Sequence, residues 1–310
     1  MSNRNFTESR LPSYGTMSSK GEIVISRERN GQPTASQELP FEERAAQYEG
    51  YISLPGFSDE EDDEEERDYY TLLNEYVITT PFIFLALISF ISLLHVLPEG
   101  GAGIYKWDIF LLGVTGWCAV FLVRKPIFFI FSKIISLKIS LSSVLTLFFI
   151  GFIEEIVRMG WLHYFGNENE TFLIAYWLGL GWAASEAIYF IIQNFIELRW
   201  YKDDLEIGIG NRYVEEREEL EEILGRPLTK VSAWWGVMWR FSWIMIHIGF
   251  SCWIARDSIL VVPAALIHGL LLVIWGYCLP VFGIPAISYG TLLVTMTVFL
   301  IGLALFNIII

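Results

Sequence analysis

The chain has 310 residues and a net charge of −14, with 54% hydrophobic residues and only 18% charged ones. The acidic balance offers no basic footprint for nucleic acid. The apolar residues come in runs of about twenty, the length a helix needs to cross roughly 30 Å of hydrocarbon. A soluble protein of this size would interrupt such runs with polar faces, so the composition excludes a soluble globular fold. It points to an all-α polytopic membrane protein whose first partner is the lipid bilayer.

In chain order, residues 1–76 stand apart. They hold seven Lys/Arg and seventeen Asp/Glu, net −10, with few apolar residues beyond Ile23, Val24 and Ile25. Such a segment cannot bury enough surface to offset its ordering entropy, which predicts a disordered, acidic, cytosolic tail. Within it, Ser58 opens an acidic block that suits an acidophilic kinase, and Asp68 to Leu73 fits an acidic dileucine sorting pattern. No cleavable signal precedes the first apolar stretch near Val77, so the first span serves as its own insertion signal.

The bundle, 77–310, is predicted to contain about seven transmembrane helices, at 77–97, 106–123, 140–163, 172–195, 233–254, 258–279 and 286–308. The stretch Pro126–Leu137 reads either as an interfacial helix or as an eighth, shorter membrane segment that would invert everything after it. Basic residues flanking the spans set the orientation. Arg124, Lys125, Lys133 and Lys138 follow the second span, and Arg199, Lys202, Arg212, Arg217, Arg226 and Lys230 fill the loop 197–232. Both regions, with the tail, are expected in the cytosol. In that loop, Tyr213–Leu224 reads as a charged helix capped by Gly225 and stopped by Pro227, a solvated connector. The sequon Asn169-Glu-Thr171 falls on the far side, whereas Asn5-Phe-Thr7 falls in the tail.

Ionisable residues lie near the middle of four spans: Glu154, Glu155 and Arg158, then Glu186, His247 and His268. A charge at the bilayer centre costs a few kcal/mol or more, so such groups face a protein interior or a wet cavity, with partners. Helix arithmetic puts all of them in one layer, the polar core of 140–280. Arg158 lies four residues from Glu154 and three from Glu155, so it can pair with either and separate their protonation behaviour, as proton-transfer catalysis requires. Gly179, Gly181, Ala183, Ala184, Ser185 and Ala187 give the Glu186 helix a narrow surface for close packing. Arg240 and Ser251 share the face of His247. Each group alone could simply fasten helices together; His95 and His163, near span ends, read as interfacial.

Glu154-Glu-Ile-Val-Arg158, Gly-Trp-Ala-Ala-Ser-Glu186-Ala-Ile-Tyr, His247 and Ile-His268-Gly, in this order on successive helices, resemble the PrsW-type branch of the intramembrane glutamic protease superfamily. That superfamily includes the CAAX-prenyl endopeptidases, the bacterial Abi-like proteins and the seven-helix scaffold subunit of gamma-secretase. The resemblance covers about residues 140–280, with Arg158 in place of the usual Lys. It implies an endopeptidase acting on membrane-associated peptides. Glu154 or Glu155 would activate a water, Arg158 would tune the carboxylates, and His247 and His268 would orient the water or stabilise the oxyanion. Glu186 would be a second acid or a structural partner. Family proteases commonly carry Asn or Asp four residues after the last histidine, where this chain has Leu272.

No cofactor is expected, and the chain lacks a compact metal motif such as His-Glu-x-x-His. The alternative to a hydrolase is a non-catalytic scaffold subunit that uses the polar cluster to hold complex partners. A proton-coupled transporter is disfavoured by the lack of an internal repeat. The acidic tail and sparse basic residues point to a eukaryotic endomembrane: endoplasmic reticulum, Golgi or vacuole.

Overall fold

The structure, a computed structural model, describes residues 67–96, 105–135, 139–166, 170–206 and 214–309. The sequence-based expectations for most of the tail, for both sequon asparagines and for the Ser58 block lie outside these residues. Eight α-helices run through the described chain: α1 Tyr69–Val96, α2 Trp107–Phe129, α3 Ile139–Phe165, α4 Thr171–Glu206, α5 Val214–Leu224, α6 Trp234–Arg256, α7 Val261–Tyr277 and α8 Leu279–Ala304. Six helices among them are long and apolar enough to cross a membrane, which points to an integral membrane protein. Two helices lie outside that set: α5, with 11 residues, is too short, and α3 has the length but carries Glu154, Glu155 and Arg158.

Burial divides the helices into two groups. The membrane windows of α4 and α6 are each 78% buried, whereas that of α2 is 17% buried. The inner pair owes its place to small residues. A methyl on Gly181 would lie 2.0 Å from the Phe110 carbonyl oxygen of α2, and one on Gly113 would lie 2.2 Å from that of Leu178. On the other side of α4, a methyl on Gly179 would meet the His247 carbonyl oxygen of α6 at 2.6 Å. Backbones can come this close only where no side chain intervenes. Outer faces such as Phe82, Leu85 and Ile88 of α1, Leu122 of α2 and Leu293 of α8 are exposed and apolar, as a lipid-facing surface requires.

Several boundaries differ from the sequence reading. Helix α1 starts at Tyr69, inside the predicted tail. Asp68 caps it by accepting a hydrogen bond from the Thr71 amide at 2.6 Å. Leu72 and Tyr76 are buried in its first turns, so Leu72 is not presented as half of a dileucine signal. Among the described residues, the stretch after Pro126 is not a separate helix. Helix α2 runs straight into a π-turn at Ile130–Ile134 and forms one span, Trp107–Ile134.

Helix α4, at 36 residues, is about 54 Å long and outruns the bilayer. Its end meets α5, which is docked rather than merely solvated. Leu220 and Leu224 pack with Leu72, Leu198, Tyr201, Leu279 and Ile284 in a second apolar cluster, and the Tyr201 hydroxyl donates to Glu221 at 2.9 Å. Gly225 takes φ +72°, the left-handed end expected of a glycine cap. Gly283 (φ +77°) breaks α8 after its first turn, next to Pro285.

Candidate functional site: a buried chain of alternating charges

Five helices converge on the six ionisable residues singled out in the sequence. Gly151 of α3 lies against Gly269 of α7, where a methyl would meet the Gly269 amide nitrogen at 2.6 Å. That contact brings Glu155, one turn beyond Gly151, to His268, which precedes Gly269. The Gly179 contact does the same for Glu186 on α4 and His247 on α6. The small residues that let helices touch thus also bring the polar groups together.

The result is a single chain of partners. Starting from α6, Arg240 Nη1 donates to Glu186 Oε1 at 2.9 Å. Glu186 Oε2 lies 2.5 Å from His247 Nε2. His247 Nδ1 lies 2.9 Å from Arg158 Nη2. A guanidinium has only donors, so His247 Nδ1 accepts here, and the ring proton sits on Nε2, donated to Glu186. Arg158 Nη1 then reaches both Glu155 oxygens, at 2.8 and 2.6 Å. His268 Nδ1 donates to Glu155 Oε1 at 2.6 Å. Arg158 therefore takes Glu155 and leaves Glu154, resolving the choice that helix spacing left open.

The last link is looser. His268 Nε2 faces Glu154 Oε2 at 3.6 Å, beyond hydrogen-bond length. Glu154 receives instead the Trp182 indole at 3.2 Å and Arg124 Nη2 at 3.4 Å. Every carboxylate of the chain is at most 2% exposed at its side chain. Three carboxylates meet three guanidiniums, of Arg124, Arg158 and Arg240. Apolar and aromatic walls enclose them: Arg158 stacks over Trp182 at 4.9 Å and Arg240 over Phe190 at 4.1 Å. Trp243 lies 5.9 Å from the His247 ring and 5.7 Å from that of His268. An ion network this dry persists only because its members are mutually paired.

Arg124 and Trp182 were not recognised as site residues in the sequence. Trp182 carried a signal, since it precedes Glu186 by one helical turn. Arg124 was read as a flanking charge because the second span was ended at residue 123; the helix continues, and the side chain points inward. Gln193 donates to Glu197 at 3.0 Å, away from the chain of partners. His95 contacts Tyr105 at 2.9 Å and His163 is exposed, so neither joins the site. Leu272 is buried in the apolar core one turn beyond His268. Among the described residues no group of three or more His, Cys, Asp or Glu side chains is arranged to hold a metal ion; the cationic position at the centre of the chain belongs to Arg158. No protein-family model, curated protein or solved structure matches this sequence.

Proposed function

We propose that the protein is an intramembrane glutamic peptidase-like hydrolase that acts on membrane-embedded peptides. One observation carries this reading. Glu155 fixes one side of the His268 ring at 2.6 Å, while the opposite nitrogen faces the loosely held Glu154 at 3.6 Å. An imidazolium held by one carboxylate, beside a second carboxylate not saturated by partners, sets an oxyanion donor next to a general base. Here Glu154 takes a proton from a water held between it and His268, and the hydroxide oxygen bonds to the peptide carbonyl carbon. His268, as an imidazolium with Nδ1–H on Glu155, donates Nε2–H to the resulting oxyanion. The tetrahedral adduct collapses as Glu154 returns the proton to the departing amide nitrogen, leaving a carboxylic acid and an amine. Arg158, His247 and Glu186 hold the pair in place and do not touch the reacting atoms. With Leu272 apolar, no side-chain amide assists the oxyanion, so His268 carries that task alone.

In the membrane arrangement we favour, α3 is the seventh crossing beside the six apolar helices, with its charges shielded by the bundle. The tail and the segment containing α5 are cytosolic, following the basic residues around them, in a eukaryotic endomembrane.

The experiment is turnover of membrane peptides by the purified chain in liposomes, with new termini read by mass spectrometry. Glu154→Gln and His268→Ala, at normal abundance, each abolish the new termini. Unchanged turnover in both variants would end this reading. A second reading, a scaffold subunit of a membrane complex, is favoured by the charge balance of the network and by Leu272. It expects no turnover by any variant, and loss of a co-purifying partner when the network is cut.

A further inference from the structure

Trp182 touches both the Glu154 end of the network and its sealed middle. Its indole nitrogen donates to Glu154 Oε2 at 3.2 Å. The Arg158 guanidinium lies over its ring at 4.9 Å, and the His247 ring is centred 6.4 Å away. The chain of partners from Arg240 to His268 is closed by contacts of 2.5–2.9 Å, but it meets Glu154 across the 3.6 Å gap to His268. Through Trp182 the middle of that chain reaches Glu154 by a second route.

The ring is fixed where it lies. Trp182 is 0% exposed. A methyl on Gly116 of α2 would lie 2.6 Å from its Cζ3, and one on Gly113 would lie 2.9 Å from its amide nitrogen. Helix α2 therefore packs on both the backbone and the ring edge of this residue, and Gly116 leaves the space that the ring occupies. The indole acts on the same Glu154 oxygen that faces His268, whereas Arg124 acts on the other, Oε1. A carboxylate oxygen carries two lone pairs. The indole N–H takes one on Oε2 and leaves the second for a group lying between that oxygen and His268 Nε2. From this we infer that Trp182 is a positioning residue: it sets the rotation of the Glu154 carboxylate so that Oε2 faces His268, and its ring face ties that rotation to Arg158. The catalytic consequence rests on Glu154 being the reactive carboxylate of the proposed hydrolase; the orientation of Glu154 does not.

Two measurements test this role. In the first, the full-length protein carries isotope-labelled tryptophan in detergent micelles, and its indole N–H signals are recorded by NMR. The Trp182 signal is the one lost in Trp182→Phe. Glu154→Gln should shift it more than any other indole signal, and Gly116→Ala, which alters no polar group, should shift it as well. No response to Glu154→Gln would overturn the role without any peptide substrate. In the second, Trp182 is replaced by benzothienylalanine, which keeps the shape of the ring and has sulfur in place of the N–H group. In liposomes kcat for membrane peptides should fall about tenfold with KM unchanged, the pattern of an interaction that serves the transition state. An unchanged kcat would also overturn the role. If that protein does not fold, Gly116→Ala displaces the ring instead and should lower kcat in the same way. A responding indole signal in a protein that cleaves no peptide removes the hydrolase and keeps Trp182 as the group that aims Glu154. Turnover untouched by loss of the N–H removes only the role of Trp182.

Discussion

Glu186 and Glu154 occupy opposite ends of one buried network and are held in different ways. Glu186 has a donor on each oxygen, Arg240 at 2.9 Å and His247 at 2.5 Å, both from α6. Glu154 has three longer neighbours drawn from α2, α4 and α7, at 3.4, 3.2 and 3.6 Å. The first end has the form of a latch: short, paired contacts between the two most buried helices. The second end has the form of a site, where a carboxylate is kept in position without being saturated. One residue type in one layer can thus serve two purposes, and contact length distinguishes them better than burial does.

Cutting the network between the two ends should have the largest effect. Arg158→Ala leaves Glu155 and His247 without their common donor in a dry interior. Removing one partner of a buried pair costs about 3–5 kcal/mol, so this variant should lose most of its folded fraction in mild detergent, measured by thermal unfolding. Glu186→Gln keeps the side-chain shape and removes the charge opposite Arg240. It should destabilise by about 2 kcal/mol, less than full removal because the amide oxygen still accepts one bond. Glu154→Gln should cost about 1 kcal/mol or less, since it breaks no short contact, yet it should eliminate turnover. The smallest effect belongs far from the network. The Thr71 amide bonded to Asp68 holds that carboxyl below its ordinary value of 3.8. A depressed carboxyl contributes stability that is complete above the ordinary value and fades as pH falls through the folded-state value. Acidification below that range should loosen the start of α1, detected as faster amide exchange at Thr71, while Asp68→Ala should already be loose at neutral pH.

The sequence made the six ionisable residues of the site legible for a simple reason. A charge inside twenty apolar residues is conspicuous, and the bilayer allows it no environment except a partnered one. Helix existence was equally legible from the apolar runs. Pairing was not. Residues three and four apart share a helix face, so only tertiary packing could assign Arg158 to Glu155 and leave Glu154 open. Arg124 was hidden because Lys125 and Pro126 follow it, a pattern that also ends helices. Leu220 and Leu224 were hidden among glutamates; two leucines one turn apart dock α5 without producing a visible apolar face. The start of α1 was missed because Leu72 and Tyr76 pack on α4 and α8, partners that lie far along the chain.

Thermal unfolding of Glu186→Gln and Glu154→Gln, purified side by side in one detergent, tests most directly whether the two ends differ. At about 2–4 °C per kcal/mol for a bundle of this size, Glu186→Gln should melt roughly 4–8 °C below the unaltered protein, whereas Glu154→Gln should lose at most about half as much, no more than about 2–4 °C. Equal losses in the two variants, or the larger loss at Glu154, would contradict the division of the network into a latch and a site.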